Sequence, residues 1–402
     1  MKSIKSILVM FFTIFLVISC NQSKDGKTIT LKNNLEDESS AYLKLHAKNP
    51  VFWQPWGENA LEAAKAQDKL LIISIGYVSC HWCHVMEEES FSDDSTAAKM
   101  NQHFISVKVD REERPGIDKA YMNVSYIING TGGWPLNIIA LPDGRPLYAG
   151  TYLSIDQWNN LLDVFIRAKK ETPEKLEEQA SSLVNGLNSI EEVEVSEQSV
   201  LDEKTLISST NQLLQIADTV CGGKTGAPKF PIPVLQEFQL QMAHLNGNQK
   251  LLDQTLLTLD KILEGGIYDH LAGGFFRYST DALWRVPHFE KMLYDNGQLI
   301  SLYANAYKLT KNEKYKVVIE ETLNFIDQNM TGDNLFYASI DADSEGEEGK
   351  FYIWDEQEID SAGLTNTKLI KEHFGIDNSK ELDGKQVLYI SKPHNELKES
   401  YG

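Results

Sequence analysis

Residues 79–84, which read Ser-Cys-His-Trp-Cys-His, carry the clearest chemistry in this sequence. Three kinds of site use such a pattern. Two cysteines separated by two residues suit a redox dithiol, and Cys-x-x-Cys-His is also the attachment motif of a c-type haem. Two cysteines and two histidines could instead be ligands of a zinc ion. The elements around the motif help to decide between these three chemistries.

The motif lies between a predicted strand and a predicted helix. Residues 70–75 are apolar except for Ser74 and rich in β-branched side chains, which predicts a buried strand. A helix is predicted over residues 58–69, another begins directly after Cys83, and the alternation in residues 104–110 predicts a second strand. This order is a βαβ arrangement with the dithiol on the turn from strand to helix.

A dithiol suits this setting better than either metal-containing site. The rest of the sequence offers no independent haem signal. Four ligands crowded at a helix start do not converge tetrahedrally on one zinc ion, and no second ligand cluster is visible. We therefore expect no metal and no cofactor. Such a pair can also be kept as a structural relic, so catalysis by the dithiol is a separate question.

A proline segment downstream completes a recognisable pattern. Trp134-Pro135 precedes a predicted strand over residues 136–141, a turn at residues 142–144 and a partner strand through Tyr148. A Cys-x-x-Cys at a helix start, followed by a proline that opens a hairpin strand, resembles the thioredoxin fold. The resemblance implies that the Trp134–Pro135 bond is cis and that its loop lies against a Cys80–Cys83 dithiol.

The position of the motif at a helix start predicts a different chemical role for each cysteine. Unpaired N–H groups and the helix dipole stabilise an anion there, so the Cys80 thiol should ionise readily. We expect Cys80 to be the exposed nucleophile, assisted by protonated His81, and Cys83 to be the resolving thiol. Trp82 suits a packed turn.

The N-terminus has the features of an exported lipoprotein. Lys2 and Lys5 precede an apolar stretch at residues 7–18, shorter than the ~20 residues that span a bilayer as a helix. The following Val-Ile-Ser-Cys resembles a bacterial lipobox, so we expect Cys20 to be lipidated; the alternative is an ordinary secretory signal. This predicts a lipid-anchored protein of the bacterial cell envelope, with the folded domains in the periplasm or outside and no membrane contact beyond the lipid.

The formal net charge of −20 argues against a nucleic-acid partner. The second half of the chain, in contrast to the first, is dominated by helical periodicity. Apolar residues mark five helices, which suggest helical hairpins as in an (α/α) toroid: Leu206, Leu213 and Ile216; Leu235, Phe238 and Met242; Leu252, Leu256, Leu259 and Leu263; Met292, Leu299, Leu302, Ala306 and Leu309; and Val317, Leu323 and Ile326.

Loops between these helices concentrate glycines, aromatics and ionisable residues, a mixture typical of a polar pocket with aromatic walls. The candidate pocket residues are Tyr268, Asp269, Arg277, Tyr278, His288, Glu290, Asp295, Asp341 and Asp343. The alternative is a hydrogen-bonded network that braces loops against helices. Residues 341–348 also look like a calcium loop, but the EF-hand spacing is absent.

Several segments together resemble the spermatogenesis-associated protein 20 family. They are residues 80–84, 110–115 (Asp-Arg-Glu-Glu-Arg-Pro), 132–135 (Gly-Gly-Trp-Pro), 227–231 (Ala-Pro-Lys-Phe-Pro), 287–296 (Pro-His-Phe-Glu-Lys-Met-Leu-Tyr-Asp-Asn) and 341–346 (Asp-Ala-Asp-Ser-Glu-Gly). The resemblance implies a thioredoxin-like α/β domain followed by a toroid like that of N-acylglucosamine 2-epimerase and six-hairpin glycosidases.

We accordingly predict five segments. They are a signal peptide at residues 1–20, a tether at 21–40, the thioredoxin-like domain at 41–187, a linker at 188–204 and an (α/α) toroid at 205–402, which we expect to be incomplete.

Two functions follow from this organisation. In the first, the protein is a thiol–disulfide oxidoreductase that exchanges with a protein dithiol or disulfide. In the second, the toroid binds, isomerises or hydrolyses a carbohydrate, with His288 as base or paired carboxylates as catalysts, and the α/β domain is structural or regulatory.

Overall fold

The computed structural model describes residues 31–191, 202–376 and 381–401. The predicted signal peptide, the lipidation site Cys20, the first half of the tether and most of the predicted linker lie outside the described residues. Two bodies of regular structure fill the rest, an α/β domain and a helical domain. The fold class predicted from the sequence is confirmed.

A five-stranded sheet forms the centre of the α/β domain, in the order β1-β3-β2-β4-β5. Strands β1 and β2 run parallel to β3, whereas β4 runs antiparallel to both β2 and β5. The strand bounds are β1 Gln54–Pro55, β2 Leu70–Gly76, β3 Phe104–Asp110, β4 Leu136–Ala140 and β5 Pro146–Gly150.

The central strands β2, β3 and β4 are buried along their whole length. This explains why residues 70–75 are apolar except for Ser74, because a strand covered on both faces needs no polar side. Helices cover both faces of the sheet, at α1 Ala41–Leu45, α2 Glu58–Gln67, α3 His81–Met86, α4 Asp94–His103, α5 Pro115–Asn129, α6 Ile155–Glu171 and α7 Pro173–Glu191, with a 3₁₀ turn at His46–Lys48 and a π turn at Glu87–Phe91.

Antiparallel helix pairs build the second domain. Two-residue turns join α9 to α10 and α11 to α12, and α9 also packs against α11. Its core contains Leu259, Ile262, Leu299 and Tyr303. The helices are α8 Glu203–Ile216, α9 Pro233–Asn246, α10 Gln249–Glu264, α11 Leu293–Thr310, α12 Glu313–Asn329, α13 Glu356–Ser361, α14 Thr367–Phe374 and α15 His394–Tyr401, with a 3₁₀ turn at Glu381–Gly384.

Ten two-residue strands decorate the loops between these helices, and they pair as five antiparallel ladders within the described residues. They are β6 Tyr278–Ser279, β7 Pro287–His288, β8 Lys291–Met292, β9 Thr331–Gly332, β10 Leu335–Phe336, β11 Ser339–Ile340, β12 Asp343–Ser344, β13 Glu347–Glu348, β14 Ile353–Trp354 and β15 Gln386–Val387. These ladders fix the polar loop residues relative to one another.

Two sequence-based expectations need correction. Helix α7 continues through residue 191, so the start of the predicted linker at 188–191 is helical. On α12 the side chains of Val317 and Leu323 are 46% and 50% exposed. The face that packs inward carries Tyr315, Val318 and Phe325, because large aromatic side chains supply more apolar area there than the two aliphatic ones.

Among the described residues, none of the helices combines the length and the apolar character that crossing a membrane requires.

Candidate functional site

Cys80 and Cys83 are joined in a disulfide at the start of α3. Cys80 is the N-cap residue, and its carbonyl accepts the first hydrogen bond of the helix from the Cys83 N–H at 3.0 Å. The backbone passes close underneath at Gly76, where a Cβ atom would lie 2.7 Å from Sγ of Cys83. A side chain at position 76 would therefore displace the disulfide.

Both cysteines are buried, contrary to the prediction of an exposed nucleophile. Cys80 is 3% exposed and Cys83 is 1% exposed. They belong to a core cluster that includes Met292 of the helical domain. The sequence-based reasoning treated the α/β domain as if it stood alone, and it missed that the second domain covers the helix start.

The loop that holds Pro135 has the predicted cis bond between Trp134 and Pro135. The Trp134 indole donates to Asp118 at 2.7 Å and packs edge-on against Tyr77, which directly follows strand β2. Trp82 is not in the packed turn that the motif suggested. It is 46% exposed and leans on Tyr152, with 4.9 Å between the ring centroids.

The carboxylate of Glu290 forms the main polar link between the two domains. Its side chain is fully buried, and Oε1 accepts hydrogen bonds from the Tyr77 hydroxyl at 2.8 Å and from Arg277 at 2.9 Å. Oε2 accepts from the Ser79 hydroxyl, next to Cys80, at 3.2 Å. The helical domain thus reaches the strand-to-helix turn that carries the disulfide.

Alternating imidazoles and carboxylates continue from Glu290 along the domain interface. We call this set the histidine–carboxylate chain, and its members are His84, Asp343, His81, Glu348, His288 and Glu290. Asp343 accepts from His81 at 2.7 Å and from His84 at 3.2 Å. Glu348 lies 3.7 Å from the other nitrogen of His81 and accepts a hydrogen bond from His288. The second nitrogen of His288 lies 2.9 Å from Glu290.

These contacts favour the charged forms of all three histidines. Burial lowers the pKa of His288, but hydrogen bonds to Glu290 and Glu348 prevail and raise it from 6.5 to about 9. The pKa of His84 is likewise raised to about 9, because Asp343 and Asp341 outweigh burial. The hydrogen bond to Asp343 also raises the pKa of His81. Both nitrogens of His288 face carboxylates, which requires an imidazolium.

The opposite partners respond in the matching direction. Burial alone would raise the pKa of Asp343, yet the two imidazoles lower it well below its ordinary value. The pKa of Glu290 is lowered despite burial, because His288 and Arg277 stabilise the carboxylate. The histidine–carboxylate chain is therefore a row of ion pairs at neutral pH.

The predicted pocket residues do not line one pocket. Arg277, His288, Glu290, Asp341 and Asp343 gather beside the disulfide, and Tyr278 lies against the His288 ring, 5.1 Å between centroids. Tyr268 and Asp269 line a different cavity of about 250 Å³ together with His270 and aromatic side chains. Tyr268 donates to Glu321, and Asp269 pairs with Lys291 at 2.7 Å.

Asp295 lies behind this interface and lacks a hydrogen-bond partner for its buried Oδ2 among the described residues. Burial raises the pKa of Asp295 to about 6, although Arg277 acts in the opposite direction.

Sequence reasoning missed Tyr77, Ser79 and Glu348. Tyr77 and Ser79 lie between the end of β2 and Cys80. Their hydroxyl groups beside the first cysteine could have marked them as candidate site residues. Glu348 sits in an acidic loop, and nothing in the sequence distinguishes it from its neighbours.

Comparisons with known proteins agree with the two-part organisation. A family model described as "Thioredox_DsbH: Protein of unknown function, DUF255" matches residues 32–188. Human spermatogenesis-associated protein 20 is 34% identical over 397 residues, which cover 89% of this chain and 50% of that protein. The resemblance inferred from the sequence motifs is confirmed. The chain spans about half the length of the curated relatives that it matches.

Two solved structures each align with part of the chain. A disulphide isomerase from Xylella fastidiosa Temecula1 aligns at 20% identity and a TM-score of 0.23, covering 27% of this chain and 86% of that one. A cellobiose 2-epimerase from Bacillus thermoamylovorans B4167 aligns at 14% identity and a TM-score of 0.30, covering 34% of this chain and 41% of that one.

The raised pKa of His288 predicts a specific pH dependence of stability. Its ion pairs contribute fully below pH 6.5, and the contribution is lost as the pH rises through about 9. Urea unfolding of wild type and His288→Gln should differ by at most ~3 kcal/mol at pH 6, and the difference should shrink towards pH 9.5. The exposed His244→Gln is the control. A difference that does not change with pH would contradict the assignment.

Proposed function

We propose that this chain, a relative of spermatogenesis-associated protein 20, is a thiol–disulfide oxidoreductase whose exchanging group is the Cys80–Cys83 disulfide. The observation that carries the proposal is the disulfide itself, which joins the N-cap residue of α3 to a cysteine in the first turn of that helix. A helix start supplies N–H groups that stabilise a leaving thiolate. A purely structural clip would not need that position.

The exchange proceeds in two balanced steps. A thiolate of the partner attacks Sγ of Cys80, which forms a mixed disulfide and releases Cys83 as a thiolate. The second thiolate of the partner then attacks the partner's own sulfur, which closes the partner's disulfide and releases the Cys80 thiolate. The partner is oxidised by two electrons and the Cys80–Cys83 pair is reduced. The reverse sequence reduces a partner disulfide.

Burial of both sulfurs adds a condition to this chemistry. A protein thiolate cannot reach Cys80, which is 3% exposed, while Met292 and Glu290 of the helical domain pack on the adjacent Ser79. Exchange therefore requires the helical domain to move away from the helix start, and the histidine–carboxylate chain opposes that movement. In this proposal the helical domain acts as a cover that controls access.

Replacement of the attacked cysteine tests the chemistry directly. Cys80→Ser should lose at least ~100-fold of the dithiothreitol-driven insulin reduction activity, because no mixed disulfide can form. Cys221→Ser, which removes the free cysteine of the described residues, should retain wild-type activity. A wild-type protein without exchange activity, or a Cys80→Ser variant that keeps it, would refute the proposal.

Weakening the cover should expose the disulfide. Glu348→Gln removes the charge that faces His81 and His288, so we expect the disulfide to be reduced by dithiothreitol on the order of tenfold faster. The matched control is Glu345→Gln in the same loop, whose side chain is 80% exposed and pairs only with Lys350 among the described contacts. Equal reduction rates in the two variants would show that Glu348 does not hold the cover.

A second candidate function has its own support in the cavity next to Asp269. Tyr268, Phe276, Phe351, Tyr352 and Trp354 provide aromatic walls, and His270 and Asp269 provide polar groups. Such a mixture suits a carbohydrate. The predicted base His288 is absent from this lining and is already ion-paired, so the cavity favours binding, with His270 as the imidazole nearest to a bound sugar.

A sugar panel followed by ligand-detected NMR tests this candidate. We expect a mono- or disaccharide to bind at millimolar concentration, and Phe351→Ala to weaken that binding at least ~10-fold through the loss of a stacking surface. Phe336→Ala is the control, because Phe336 is similarly exposed and lies outside the cavity. The absence of binding by the wild type would exclude the candidate.

We also propose that the protein is anchored in a bacterial cell envelope through a lipid on Cys20. The support is the basic start, the apolar stretch at residues 7–18 and the Val-Ile-Ser-Cys sequence. On expression in a bacterial host, the wild type should incorporate labelled palmitate and sediment with membranes. Cys20→Ala should do neither. Equal labelling of both proteins would refute the lipid anchor.

A further inference from the structure

We propose that His84, Asp341 and Asp343 form a binding site for a divalent transition-metal ion at the junction of the two domains. The three side chains each offer one ligand atom, and these atoms all lie within 4.8 Å of one another. Ligand atoms that are ~2.1 Å from a shared metal are at most ~4.2 Å apart. A small inward movement of the side chains thus completes the site.

The His84 ring is oriented as a metal ligand requires. Its Nε2–H donates to the Val78 carbonyl at 2.7 Å, so Nδ1 is the nitrogen left for an ion, and it lies 3.2 Å from Oδ2 of Asp343. Metal-binding histidines characteristically donate their other N–H to a carbonyl or carboxylate, which fixes the ring. An ion bound to Nδ1 takes the place of the proton there.

Hydrogen bonds also hold both carboxylates. Oδ1 of Asp341 accepts the backbone N–H of Asp343 at 3.1 Å, while Oδ2 lies 3.9 Å from Nε2 of His84. Oδ1 of Asp343 accepts from His81 at 2.7 Å, which leaves Oδ2 for the ion. Each of the three ligand side chains therefore makes one orienting hydrogen bond, and each of these bonds has a different partner.

The site opens onto a cavity of about 340 Å³. His81, His84, Asp341 and Asp343 form one wall of this cavity, and Glu87 and Glu88 lie on another. Three protein ligands beside such a space leave coordination positions for water or a small ligand, as in catalytic rather than closed structural sites. One imidazole with two carboxylates suits Zn²⁺, Mn²⁺ or Co²⁺ better than Ca²⁺ or Mg²⁺, which prefer oxygen ligands alone.

The ligands come from both domains. His84 directly follows Cys83 on α3. Asp343 begins strand β12 of the helical domain, and Asp341 lies two residues before it. A bound ion would fasten the helical domain over the disulfide. This inference does not depend on the exchange chemistry, because it concerns binding alone.

Calorimetric titration of the full chain with ZnCl₂, with the disulfide intact and no reductant, tests the site. We expect one Zn²⁺ per chain and at least a 10-fold weaker binding in Asp341→Asn. Because Asp341 is 40% exposed and its variant keeps the Oδ1 acceptor, this variant should fold, which circular dichroism can verify. Asp360→Asn, an exposed aspartate remote in sequence, should bind as the wild type does.

Cobalt provides a second readout that does not depend on affinity. The visible spectrum of the Co²⁺-loaded chain should show ligand-field bands without a thiolate charge-transfer band, and His84→Gln should change these bands. Wild-type binding in Asp341→Asn, a thiolate band, or no saturable binding of Zn²⁺ would each overturn the proposal. In the last case His84 serves only as the ion-pair partner of the two aspartates.

Discussion

The charge on Glu290 is the constraint on which the domain arrangement depends. A fully buried carboxylate costs several kcal/mol unless its lone pairs are satisfied. Here Tyr77 and Ser79 of the α/β domain, together with Arg277 and His288 of the helical domain, satisfy them. Neither domain could bury Glu290 in this way alone. The closed arrangement therefore follows from charge compensation as much as from apolar contact.

Closure has a direct consequence for the disulfide. The helix start that carries the disulfide is covered by the helical domain, and both cysteines are buried. Access is therefore set by the free energy that separates the two domains. That free energy includes the ion pairs of His81 and His84, whose aspartate partner comes from the helical domain. In the proposed function, exchange at this disulfide is therefore coupled to movement of the helical domain.

The two domains contribute different groups to the interface. The α/β domain supplies both cysteines and two of the three histidines of the histidine–carboxylate chain, whereas the helical domain supplies all three of its carboxylates. The facing surfaces of the two domains therefore carry opposite charges. Any other docking that placed like charges together in this desolvated interface would be unfavourable. This complementarity gives the acidic loop at residues 341–348 a defined position next to the cysteine motif.

Local patterns were sufficient for the elements that depend on neighbours in sequence. Strands β2 and β3 and the helix start at Cys80 were all predicted. Strands and helices each impose a pattern of apolar residues on their own stretch of sequence. The same applies to the candidate residues His81, His288 and Asp343, whose residue types already indicated chemistry. The exposure of Val317 and Leu323 could not be predicted from the local sequence. The same helix has a second apolar face, and only the packing of the domain determines which face is buried.

The sequence by itself determined which groups are present: two cysteines at a helix start, a proline before a hairpin, and loops rich in His, Asp and Glu. Only the tertiary structure decided that these groups meet. His81 and Asp343 are 262 residues apart in the chain and 2.7 Å apart in space. The reason is physical. Periodicity reports whether a side chain is buried, but the partner that compensates a buried charge is chosen by how distant segments pack.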